Sequence, residues 1–119
     1  MFGRTRMVRA GATVIVGAGF LLGAAASVAQ AEDGQAIYQK SCVTCHGASG
    51  KGDGPAAKAL KPPPGDFATT LKSVSDADMT AFIKDGGKAA GKKHTAFGTK
   101  LSDDQIAALV QYVKSLSAK

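Results

Sequence analysis

The chain has 119 residues, 45% of them apolar and 20% charged, with a net charge of +6 and no tryptophan. That length suits one domain and leaves little room for two. The excess of positive charge is too small, and too poor in clustered aromatics, for a nucleic-acid-binding module.

The amino-terminal residues read as an export signal rather than as part of a globule. Arg4, Arg6 and Arg9 form a positive n-region, residues 10–29 carry no charge, and Ala29-Gln30-Ala31 has the small-x-small pattern that a signal peptidase accepts. We expect residues 1–31 to be a signal peptide cut before Glu32, and the protein to be periplasmic. The competing reading is an uncleaved anchor, which the Ala- and Gly-rich run serves poorly. Without the three arginines, twelve lysines face nine acids, a net charge of +3 over residues 32–119. Such a short domain buries little apolar surface and usually needs a disulfide, metal or cofactor.

In chain order, a first helix is predicted over residues 33–41, entered at Asp33 as N-cap and carrying Ile37 and Tyr38. It runs into Cys42-Val43-Thr44-Cys45-His46, which holds both cysteines of the chain. Cys-x-x-Cys-His is the signature of covalent haem attachment. Two intervening residues let both thiols reach the vinyl groups on one porphyrin edge, and the adjacent histidine then faces the iron. A disulfide or thioredoxin-like pair would belong to a βαβ pattern absent here. A structural zinc site would need four ligands, and two Cys and two His stand at no familiar zinc spacing.

A glycine-rich stretch over residues 47–54 and Pro55 lead to a helical turn over residues 56–60. Pro62, Pro63 and Pro64 then impose an extended loop. A second helix starts at Ser75, with Asp76 and Asp78 at the positive end of its dipole and Met79, Phe82 and Ile83 on one face. Gly86-Gly87 stops it, and residues 88–100 read as a loop. The last helix opens with Ser102 and Gln105 as a capping box, and Ile106, Leu109, Val110, Val113 and Leu116 make an apolar stripe. No segment alternates as a half-buried strand does, so the expected fold is all-α: three main helices and short turns around one haem.

A helix, Cys42-Val43-Thr44-Cys45-His46-Gly47, a glycine-rich loop with a proline, a short helix, a loop and a capped last helix together resemble class I cytochrome c. The likeness is to the small bacterial periplasmic members and covers residues 32–119. It implies one haem c, bound through Cys42, Cys45 and His46. It also implies a close glycine–aromatic contact between the first and last helices, for which Gly34 and Tyr112 are placed. A proline carbonyl bonded to the proximal histidine's other nitrogen is implied too, and Pro55 is the candidate.

The family's sixth ligand is usually a methionine, often in Met-Pro-x-Phe-Gly, whereas this chain has Lys93-His94-Thr95-Ala96-Phe97-Gly98. His94 stands at the methionine's position, which makes His46 and His94 the expected metal ligands. Met79, a lysine or water are the alternatives. The implied function is electron transfer between redox protein partners, not catalysis, by a monomer or weak oligomer without a membrane span after cleavage. Lys88, Lys92, Lys93 and Lys100 flank the ligand loop and suit acidic docking surfaces. Two other classes compete: a haem enzyme or ligand sensor with a labile sixth position, and a subunit of a larger oxidoreductase complex.

Overall fold

The computed structural model describes residues 33–119, so the expected signal and its cleavage site lie outside the described residues. Helix α1 covers residues 33–41, and α2 (Val43–His46) follows after Cys42. A 3₁₀ turn (Ala57–Ala59) and α3 (Phe67–Thr70) precede α4 (Asp76–Asp85) and α5 (Asp103–Ser117). The described residues contain no strand, and the fold is all-α as expected.

The helix ends follow local chemistry. Ser75 Oγ accepts from the Asp78 amide at the start of α4, and Asp76 and Asp78 occupy its first turn. At α5 the capping box is complete: Gln105 N donates to Ser102 Oγ at 3.2 Å, and Ser102 N donates to Gln105 Oε1 at 2.9 Å. Asp33, by contrast, is already helical, so it is not the N-cap of α1 and the cap falls outside the described residues. Helix α3 was not anticipated. Its signal was Asp66, whose carboxylate accepts from the Ala68 amide at 2.8 Å, but four residues carry too little periodicity to announce a helix.

Helix α5 is the floor of the core and packs against both α3 and α4. Its predicted stripe is buried throughout, with Ile106, Leu109 and Val110 at 2% exposure or less. Tyr38 of α1, Met79 and Ile83 of α4, and Phe97 complete the core cluster. Met79 is thus a core side chain.

Helix α1 crosses α5 at Gly34, where an added Cβ would lie 2.3 Å from the Ala108 carbonyl oxygen and 3.2 Å from the Leu109 nitrogen. The glycine contact is therefore with backbone, not with an aromatic. Tyr112, four residues beyond Ala108, instead packs on Tyr38, four residues beyond Gly34, with ring centres 5.3 Å apart. The absent side chain lets the two helices close, and one turn further on the two tyrosines fill the gap that opens.

Candidate functional site

Helix α2 carries the motif as one helical turn between Cys42 as N-cap and Gly47 as C-cap. Its position is set by two neighbours. Tyr38 donates its hydroxyl proton to the Gly47 carbonyl at 2.6 Å from inside the core. From the other side, Gly54 N donates to Cys45 O at 3.2 Å and Ala56 N to Thr44 O at 3.0 Å. Pro55, without an N–H, sits between these two amides and is exposed.

Cys42 and Cys45 are free thiols, each half-buried. Burial, and secondarily the neighbouring Cys45, push the Cys42 thiol up to about 11. Cys42 is therefore not the stabilised thiolate that attacks first in a redox pair. Nor do the described residues hold any cluster of three or more His, Cys, Asp or Glu fit for a metal ion, as the zinc alternative would require.

His46 ends α2 half-buried, its ring 4.8 Å from that of Phe67. Burial first, and then His94, lower its pKa, which keeps the imidazole neutral and so fit to donate to a metal. Its Nδ1 is buried and has no hydrogen-bond partner. The bond expected from the Pro55 carbonyl is therefore not made in this structure: the segment is held by its flanking amides, and Pro55 itself faces outward.

His94 is brought to the same place by main-chain bonds to the end of α4. His94 N donates to Gly86 O at 2.9 Å, Phe97 N to Ile83 O at 2.9 Å, and Gly98 N to Lys84 O at 3.2 Å. These are carbonyls that a helix leaves unpaired at its C-terminus. Gly86 makes the reversal: it is left-handed at φ 74°, and a Cβ there would lie 2.5 Å from the His94 carbonyl oxygen. The His94 ring stands 5.1 Å from Phe82 and 5.9 Å from the His46 ring, at 43° between planes. Its Nδ1 lies 2.9 Å from the Thr95 carbonyl oxygen. A carbonyl only accepts, so Nδ1 carries the proton and Nε2 keeps its lone pair.

The four rings Phe67, His46, His94 and Phe82 thus form a row with the two imidazoles at its centre. Two imidazoles sharing one transition-metal ion, each bonded at about 2.0–2.1 Å, have ring centres about 6 Å apart. The observed spacing fits that requirement. The residues present fit a haem iron: two imidazoles at this spacing and two thiols on the turn that carries His46.

A family model for cytochrome c matches residues 31–117. The chain belongs to the cytochrome c family. Cytochrome c domains bind haem and transfer electrons, so both the cofactor class and the need for redox partners expected from the motif are borne out at that level. No curated protein matches the chain. Sequence reasoning named Cys42, Cys45, His46 and His94 as candidates and read Phe67 and Phe82 as core or haem-packing residues, without pairing them with the two histidines. Phe67 follows the cap Asp66 in a helix too short to show periodicity, and Phe82 lies on the α4 face it shares with Met79 and Ile83.

Proposed function

We propose that this cytochrome c is a periplasmic electron carrier with one covalently bound haem c whose iron is held by His46 and His94. The observation that carries the reading is the 5.9 Å approach of the two imidazoles, with His94 Nδ1 occupied by Thr95 O and Nε2 left to bind metal. Cys42 and Cys45 would hold the haem, each by adding its S–H across a vinyl group to give a thioether with no net loss of electrons. When bound, the haem supplies a one-electron Fe(III)/Fe(II) couple.

The chain's own residues do the rest. His46 and His94 would be the two protein ligands of the iron and would leave it no open position for a substrate, which favours transfer over catalysis. Phe67 packs on the His46 ring and Phe82 on the His94 ring, and these contacts limit the tilt of the two imidazoles. The motif's place after an export-like segment supports a periplasmic location, where haem attachment occurs in bacteria. A second imidazole donates more strongly than a thioether and stabilises ferric iron, so the potential lies below that of a His/Met relative.

Absorption and electron paramagnetic resonance spectra of the purified protein test this. The expected result is a low-spin bis-imidazole signature in both oxidation states, pigment that resists acidic organic extraction, and a higher potential in His94→Met. Unchanged spectra and potential in that variant would remove His94 from the iron. Rapid carbon monoxide binding by the ferrous wild type would instead favour an enzyme or sensor.

A further inference from the structure

We propose that Asp85 is a positioning residue for the sixth ligand: its carboxylate clamps the turn from which the chain runs back to His94, and so sets how firmly that histidine holds the iron. The inference deepens the reading of His94 as a ligand and rests on it. Asp85 is the last residue of α4, where a carboxylate opposes the helix dipole and a lysine would be favoured. A local rule broken in this way points to a compensating role. Here both carboxylate oxygens are in use. Oδ1 accepts from Gly87 N at 2.7 Å and Oδ2 from Ala89 N at 3.1 Å, so one side chain closes the turn after the helix.

One peptide group held in this way, between Gly86 and Gly87, grips the ligand loop directly, and the carbonyl of Gly87 follows it. Gly87 O accepts from Lys92 N at 2.9 Å, and Gly86 O accepts from His94 N at 2.9 Å. Gly87 also lies against the Phe82 ring, which in turn packs on the His94 ring. Asp85 therefore reaches His94 along two routes, one through the main chain and one through Phe82, without touching the histidine. Loss of the clamp frees the turn, and His94 then yields the sixth position more readily to a competing ligand.

The test is titration of imidazole into the ferric holoprotein, followed by its absorption spectrum, with circular dichroism as a check on the fold. Asp85→Ala should bind imidazole about tenfold more tightly than wild type, the scale of one or two lost hydrogen bonds. Asp85→Asn keeps one oxygen for the Gly87 amide and should fall between the two. Asp104→Asn, an exposed carboxylate at the start of α5, controls for the loss of one negative charge and should match wild type. Equal behaviour of Asp85→Asn and Asp85→Ala, or of both and wild type, overturns the proposal. If Asp85→Ala fails to fold, Asp85→Asn against Asp104→Asn decides alone: tighter binding only in the former supports the clamp, and equality overturns it. His94→Ala is the benchmark. If it opens the site and the Asp85 variants do not, Asp85 is no positioning residue; if it does not open the site, His94 is no ligand and both readings fall.

Discussion

Tyr38 links the core to the haem-binding motif through a single bond, and its chemistry can be isolated. Fully buried, its hydroxyl donates to the Gly47 carbonyl, and burial foremost pushes its pKa from 10.0 to about 12. Tyr38→Phe removes the shorter of the two hydrogen bonds that carbonyl accepts, leaving the one from Gly50 N at 3.2 Å, and should cost about 0.5–1.5 kcal/mol at neutral pH, measured by denaturant unfolding. The folded-state pKa is raised, so the unfolded chain gives up its proton first as pH climbs. The advantage of wild type over Tyr38→Phe is therefore complete below pH 10 and should shrink as pH approaches about 12. A gap that stays constant across that range would mean the hydroxyl is not held by burial. The residues of the candidate site were legible at this scale because their chemistry is local: Cys42, Cys45 and His46 are contiguous, and His94 replaces a methionine within a recognisable loop. The Pro55 bond was not legible, because whether a carbonyl turns toward a ring depends on the path of the loop and not on the residue type.

Among the elements, α5 was readable in full, since a complete capping box and a five-residue apolar stripe both lie within its own sequence. The α1–α5 crossing was only half readable. Gly34 signals a close approach, but which atoms approach is decided by a partner more than seventy positions away, and they proved to be the Ala108 backbone. The contrast yields a prediction with a definite sign. On helix propensity alone Gly34→Ala would stabilise by about 0.5–1 kcal/mol. The added methyl group would meet rigid carbonyl atoms at 2.3 and 2.7 Å, and relieving such an overlap costs about 1–3 kcal/mol. The second effect should win and lower the thermal midpoint; a raised midpoint would show that the helices separate freely there.

For the molecule as a whole, charge and fold meet on one side. Lys88, Lys92, Lys93 and Lys100 are all exposed and flank the loop that presents His94. A partner with an acidic surface would be drawn to that side over a Debye length of about 30 Å at about 0.01 M salt and about 8 Å at 0.15 M. Electron transfer to such a partner should therefore slow steeply over that interval, and a rate indifferent to salt would assign these lysines to plain solvation. No helix of the described residues is long and apolar enough to cross a membrane. The path of residues 94–98 is traced by main-chain bonds to carbonyls of α4, bonds that any amino acid other than proline supplies equally. The backbone position of residue 94 is consequently independent of its side chain. With His94 as the proposed ligand, sulfur could replace nitrogen at position 94 without redrawing the scaffold, and one unchanged architecture would offer a family of electrochemical settings.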